Sequence, residues 1–458
     1  MKKALLLCVV LAVLGLALPV SNLVLKPSGA GILPAAGADA TLAKALAVFE
    51  KKCLYCHAAG VKMPLYASFP IAKDLIAKDV KEGLSELDLA AELNPGPGKP
   101  VGEAALAAIE HVADAGTMPP GRFVAMHWDT CFAAADKEAL KAWVGDVREK
   151  HHATPGVAAG FKREVVQPLA APTGLDPEKV AVGDTLFHDK RLSKDNSIAC
   201  AGCHALDKGG TDQQQFAKGV GGAMGDINSP TVYNSGLFVR QFWDGRAATL
   251  EEQANGPVNN PIEMASNWPE VIGKLQQDPA IVGAMTKLYP KGLVSESITD
   301  AIATFERSLV TIDSRFDSYL KGKADAISAD EKEGYALFKS VGCAACHPGK
   351  ALGGLTFEKM GRRRDYFAEK GGPKKPDLGR FNATQKEEDR FRFKVPTLRN
   401  VSATFPYFHD GTCKELSEAV RKMAYYQLDR MLTVDQTGKI VAFLNSLTGE
   451  YKGQPLVR

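Results

Sequence analysis

Apolar residues recur at helical spacing along most of this chain, and strand-like alternation is scarce. Amphipathic helices are predicted over 69–92, 100–115, 134–149, 268–278, 295–319, 414–426 and 433–446. Three more helical segments, LAKALAVFEKKC, KVAVGDTLFHDKRL and DEKEGYALFKSVGC, each precede a cysteine motif and carry a phenylalanine at a comparable place: Phe49, Phe187 and Phe338. The repetition lies in the order of elements, not in residue identity. Two stretches rich in Gly, Pro and Ala break the pattern. KPSGAGILPAAGADA reads as a tether, and residues 151–177 read as a linker between domains. At the N-terminus Met1-Lys2-Lys3 precedes about 22 residues without a charge, enough to cross ~30 Å of hydrocarbon. The nearest small-x-small site, Ala36-Gly37-Ala38, lies well past the apolar run. Residues 1–28 are therefore expected to stay as a membrane anchor, with a cleaved signal peptide as the alternative. Lys2 and Lys3 would remain on the cytoplasmic side, so the body of the chain is exported either way.

Each of the three predicted repeats runs into the same unit. Cys53-Leu54-Tyr55-Cys56-His57, Cys200-Ala201-Gly202-Cys203-His204 and Cys343-Ala344-Ala345-Cys346-His347 are all C-x-x-C-H. Two thiols at that spacing can add to the two vinyl groups of a haem, and the adjacent histidine then falls under the iron. Zinc would need two further ligands for each pair, and only Cys8, Cys131 and Cys413 lie outside the motifs. A thiol redox pair would sit between a strand and a helix, a pattern absent here. Three covalent c-type haems are expected, in a mainly α protein with three cytochrome c-like domains: 40–150, 176–325 and 326–458.

Composition changes this picture little. With 458 residues, 45% apolar and 24% charged, the chain can bury several cores. A net charge of +3 gives no reason to expect nucleic acid as a partner.

A haem that only carries electrons keeps both axial positions filled, whereas one that handles peroxide frees one. For the first haem, residues 116–121 read GTMPPG, and Met118 before two prolines resembles the methionine loop of small cytochromes c. His127 is the rival ligand, and Met63 is nearer in sequence but lies in a turn. The stretch from Cys53 through MPPGRFVAMHW to KAWV resembles the small haem-binding domain fused to other enzymes.

From about residue 176 onward the chain resembles the bacterial di-haem cytochrome c peroxidases. The resemblance is carried by NSPTVYN (228–234), QFWDGRA and EEQANGPVNNPIEM (241–264), KVPTLRNV (394–401), PYFHDG (406–411) and AVRKMAYYQL (419–428). With its first domain the whole looks like a tri-haem, membrane-anchored member of the quinol peroxidase type. The resemblance implies His347 and Met423 as axial pair of an electron-accepting haem, and His204 as proximal ligand of the peroxidatic haem. It implies Glu263 as the proton-transferring group, Gln253 as the residue that orients peroxide, and Trp243 as a relay between the haems. A calcium ion held by Asn228, Thr404 and Pro406 is implied as well, and His409 is expected to be structural. Relatives that need reductive activation carry a histidine in a Gly-His-Gly-like loop. Here the loop reads Lys218-Gly219-Val220-Gly221-Gly222, which predicts a peroxidatic iron open at rest or capped transiently by Met224.

The expected activity is reduction of hydrogen peroxide to water in the periplasm, with electrons from quinol, a small cytochrome c or a cupredoxin. Two alternatives are a MauG-like haem oxidase acting on a partner protein, against which Met423 counts because that relative has tyrosine there, and a non-catalytic tri-haem electron carrier. Cys131 and Cys413 are candidates for a disulfide in the oxidising compartment. The basic stretch from Arg362 to Arg392 is expected to be a solvated insertion.

Overall fold

The computed structural model describes residues 16, 17, 19–29 and 31–456. The predicted anchor falls largely outside them, and among the described residues no helix is long and apolar enough to cross a membrane. The chain divides into two compact units, residues 1–153 with 162–164, and residues 154–161 with 165–458. Both are helical as expected. Among the described residues, extended structure is confined to two short antiparallel ribbons and isolated bridges; one ribbon pairs β1 (Phe357–Lys359) with β2 (Arg392–Lys394).

In the first unit α1 (Ala40–Lys52), α2 (Pro70–Glu86), α3 (Leu89–Leu93), α4 (Glu103–Ala115) and α5 (Ala134–Val147) surround a core that includes Phe49, Leu89, Leu106 and Trp143. Phe49 meets Trp143 edge to face, with centroids 5.5 Å apart. The helix predicted over 69–92 is two helices. Asp88 turns extended and its carboxylate accepts the amides of Ala90 and Ala91, which starts α3 afresh. Helix α2 leans on the first cysteine motif at Gly83, where a Cβ would lie 2.4 Å from the Cys56 carbonyl oxygen.

The second unit holds α6 (Pro177–Phe187), α7 (Leu250–Asn259), α8 (Trp268–Leu275), α9 (Pro279–Leu288), α10 (Ser295–Ser308), α11 (Arg315–Leu320), α12 (Ala329–Val341), α13 (Leu416–Leu428) and α14 (Val434–Asn445). Its two halves repeat one device. The helix before each cysteine motif crosses a later helix through a glycine: a Cβ on Gly183 would lie 2.0 Å from the Ala301 carbonyl oxygen, and one on Gly334 would lie 1.9 Å from that of Lys439. Backbones this close bring α6 onto α10 and α12 onto α14, and they leave the motif after each first helix facing the interior. Capping boxes at Ser328/Glu331 and Thr433/Gln436 set the starts of α12 and α14.

The helix predicted over 295–319 breaks after Ser308. Thr311 is fully buried, its amide donates to Asn234 Oδ1, and its hydroxyl accepts from Asn234 and Asn400 at 3.0 and 2.9 Å. This tertiary bonding overrides the helical pattern, and Ser314 caps α11.

The stretch read as a linker contains the division between the two units, and part of it is packed: Val166 and Leu169 are buried, Thr154 and Gln167 bond to one another, and the Gln167 carbonyl accepts from the buried Arg399, whereas residues 170–174 are exposed. Two expectations are corrected. The stretch from Arg362 to Arg392 keeps most of its charges exposed, but Tyr366, Phe367 and Asp377 are buried and Lys370 pairs with Asp377 and Asp410. Cys131 and Cys413 are both free thiols; Cys413 points into the interior of the second unit and donates to the Glu415 carbonyl, while Cys131 is exposed.

Candidate haem-binding sites

Each motif histidine is held in the same way. Nδ1 of His57, His204 and His347 faces a backbone carbonyl, of Leu87 at 2.9 Å, Gly210 at 3.4 Å and Leu352 at 3.0 Å. A carbonyl only accepts, so the proton sits on Nδ1 and Nε2 is the nitrogen left to bind a metal; His204 and His347 also have a second backbone carbonyl in reach, of Pro230 and Pro396. Desolvation lowers the pKa of His204, and that of His347 to about 4, which keeps both rings neutral. The thiols respond in the opposite sense: burial pushes Cys53 and Cys343 up to about 12, Cys56 and Cys203 up to about 11, and Cys200 further still. Such thiols are not reactive thiolates, and their apolar setting suits thioethers. Buried polar atoms without partners lie beside two of the motifs, the Tyr55 hydroxyl in the first unit and the Ser235 hydroxyl in the second. The residues fit a covalently attached haem.

In the second unit Cys200, Cys203 and His204 open on a cavity of about 340 Å³ whose wall also includes Gln253, Glu263 and Trp243. Gln253 projects from α7, whose N-cap is Thr249, and Glu263 sits in the turn that follows this helix. Asn260 Nδ2 donates to Glu263 Oε1 at 2.6 Å. Burial nevertheless raises the pKa of Glu263; Asn260 and the field of Arg246 oppose that shift without cancelling it. The structure thus brings together the proximal histidine and both residues implied for the distal side.

The Val220 loop is pinned to the same turn. The Val220 amide donates to the Glu263 carbonyl at 2.8 Å, and Gly219 lies so close that a Cβ would meet the Ile262 carbonyl oxygen at 2.0 Å. Neither Val220 nor Met224 lines the cavity, and Met224 is 53% exposed. Capping by Met224 is not supported by this placement.

Trp243 joins two neighbourhoods. It lines the His204 cavity, and it packs on an aromatic cluster that includes Phe393, Phe408 and Met423 of α13. Its indole donates to the Asn228 carbonyl at 2.8 Å, and its own carbonyl accepts from the Lys394 amide at 2.8 Å. His409 stands edge-on to it, centroids 6.4 Å apart, and bonds to Asp377 at 2.7 Å. Asp377, His409 and Asp410 form a buried cluster of metal-ligating groups, but the Lys370 ammonium already lies 2.9 and 2.6 Å from the two carboxylates. Burial raises the Asp377 pKa, yet the bonds from His409 and Lys370 hold it well below the usual carboxylate range. The cluster is a salt-bridge network, and His409 is structural.

For the implied calcium ion, the Asn228 amide donates to the His409 carbonyl and Asn228 Nδ2 to the Gln214 carbonyl, which leaves Oδ1 as its ligating atom. Thr404 and Pro406 stand on either side of the half-buried Phe405, and the Thr404 hydroxyl donates to the Val401 carbonyl. The donors suit an oxygen-ligated cation.

In the first unit Met118 is 38% exposed in its Gly-Thr-Met-Pro-Pro turn. His127 is 7% exposed and both ring nitrogens are engaged, Nδ1 with the Phe123 carbonyl at 3.0 Å and Nε2 with the Tyr66 hydroxyl at 3.1 Å. The ring also stacks on Phe123 at 3.9 Å. His127 is spoken for, and Met118 is not.

Fold and sites together define a c-type haem protein with one unit of two cytochrome-like halves and one smaller haem-binding unit. The di-haem cytochrome c peroxidase family matches residues 177–325, and the haem-binding domain family matches residues 34–146. Cytochrome c peroxidase Ccp of Escherichia coli strain K12 is 45% identical over 88% of this chain and 86% of its own length. Cytochrome c551 peroxidase of Nitrosomonas europaea is 44% identical over 65% of this chain and 87% of its own. A crystal structure of a MauG-like protein associated with microbial copper homeostasis superposes with a TM-score of 0.56 at 26% identity, covering 63% of this chain and 94% of that one. The chain belongs to the di-haem cytochrome c peroxidase family and carries an additional N-terminal haem-binding domain.

Proposed function

We infer that this protein is an exported tri-haem peroxidase that reduces hydrogen peroxide to two waters, consuming two electrons and two protons. The observation that carries the reading is the grouping of His204, Gln253 and Glu263 on one cavity whose wall lacks Val220. The haem held by Cys200, Cys203 and His204 supplies the iron at which the O–O bond is reduced. Glu263 accepts the proton from one peroxide oxygen and returns it to the other, so that water departs as the bond breaks. Gln253 orients the peroxide. With no histidine at position 220, the distal side needs no reductive opening. His347 and Met423 would hold the electron-accepting haem and His57 and Met118 the haem at which electrons enter, a methionine ligand suiting a high potential, and Trp243 would be the relay residue. A calcium ion at Asn228, Thr404 and Pro406 would stiffen the loops around Trp243.

The apolar N-terminal segment and the first haem unit favour a periplasmic protein fed by membrane quinol, with a small cytochrome c or cupredoxin as the other donor class. Steady-state peroxide reduction with reduced quinol and with reduced cytochrome c, measured side by side, tests this. Turnover with neither donor would overturn the peroxidase reading and leave an electron carrier. A low-spin His204 haem in the fully oxidised protein would overturn the open-iron reading.

A further inference from the structure

Lys394 is the residue for which the known chemistry gives no use. It ends β2, is 6% exposed, and lines the same cavity as His204 and Trp243. Its ammonium stands 4.3 Å from the centroid of the Phe238 ring, another wall residue. It forms no ion pair or side-chain hydrogen bond among the described residues. The one acidic group whose field reaches it, Asp244, is already paired with Arg246 at 3.0 Å. Burial accordingly pushes the ammonium down to about 7. An aromatic face offsets only a fraction of the cost of burying a cation, so the position calls for an anion. A second wall residue points to the same occupant: the Ser235 hydroxyl, 5% exposed, has no hydrogen-bond partner.

We propose that Lys394 and Ser235 form a carboxylate-binding subsite that takes a propionate of the haem attached at Cys200 and Cys203. The inference rests on the assignment of this cavity to a haem and goes beyond it by giving Lys394 a positioning role. A buried positive charge beside the macrocycle favours the reduced iron, so Lys394 raises the reduction potential of this haem relative to a neutral residue there. Because the Lys394 amide also donates to the Trp243 carbonyl, the charge is fixed to the segment that carries the relay residue.

The test uses the full-length holoprotein with Lys394→Met, Lys394→Gln, Lys394→Arg and Ser235→Ala. Haem content is read by the pyridine haemochrome and the potential of each haem by spectroelectrochemistry. Both neutral variants are expected to keep three covalent haems, since the thioethers do not depend on Lys394. At a fixed poise the oxidised-to-reduced ratio of the peroxidatic haem alone should rise roughly three- to tenfold, as for one unit charge at an effective dielectric of about 20. Lys394→Arg should stay within about twofold of wild type, and Ser235→Ala should move in the same sense as Lys394→Met by less. An unchanged potential in both neutral variants, with three haems present, overturns the subsite. A wild-type protein with no haem at Cys200 and Cys203 overturns the cavity assignment and the subsite with it.

Discussion

Replacing Glu263 by glutamine separates chemistry from structure more cleanly than any other change at this site. The glutamine keeps the length of the side chain and a carbonyl oxygen to accept from Asn260 Nδ2, now 2.6 Å from Glu263 Oε1, so the turn after α7 is preserved. It removes only the capacity to take and return a proton. A positioned acid–base group is worth about 10²–10⁴ in rate, or about 3–5 kcal/mol of activation free energy. The carboxylate is the form that begins the cycle, and burial has raised its pKa. Peroxide reduction in the wild type should therefore fall on acidification through a pKa above the ordinary ~4.3 of a glutamate, and that limb should vanish in Glu263→Gln. The assay is kcat/KM for peroxide across pH at saturating donor, on protein whose haem spectrum matches that of the wild type. A variant within about threefold of wild type, or an acid limb that survives the substitution, would refute the assignment.

Other expected outcomes are as follows. Met118→Ala should remove the methionine-ligated signature of the first haem and lower its potential, while His127→Ala should leave that signature in place and destabilise the first unit, as optical and NMR spectra would report. Gly334→Ala forces a methyl group against the Lys439 carbonyl and should cost about 1–3 kcal/mol, seen as a Tm lower by several degrees with the motif residues untouched. Glu306, buried on α10 in the wall of the same cavity, is pushed up to about 8 by burial. Its folded-state pKa lies above its unfolded one, so its contribution to stability is complete below pH ~4.3 and is lost as pH rises toward about 8. Glu306→Gln should flatten the difference in urea midpoint between pH 5 and pH 8, which for this one group amounts to on the order of 2–4 kcal/mol.

What the sequence made legible was local. Three C-x-x-C-H units announce their chemistry because a rigid porphyrin dictates their spacing, and Met118 stands out because two prolines follow it. Glu263 and Gln253 came from the family resemblance, since each alone reads as a surface residue. Lys394 and Arg399 were illegible because burial and missing or distant partners define them. Arg399 meets Asp317 at 2.8 Å with both side chains fully buried, 82 positions apart in the chain (399 − 317). The same holds for the basic stretch 362–392: its surplus of lysine and arginine looks solvated until Lys370 is found between Asp377 and Asp410. The break in 295–319 escaped periodicity because the groups that cause it, Asn234 and Asn400, lie far away in sequence.

The strap over 154–169 fixes where the first haem domain can be severed from the rest. A truncation that starts at residue 176 would strip Val166 and Leu169 from the interior and deprive the Arg399 guanidinium of its acceptor on Gln167. Protease should spare the buried run 165–169, and a free-standing catalytic fragment has to keep that ribbon of backbone to fold.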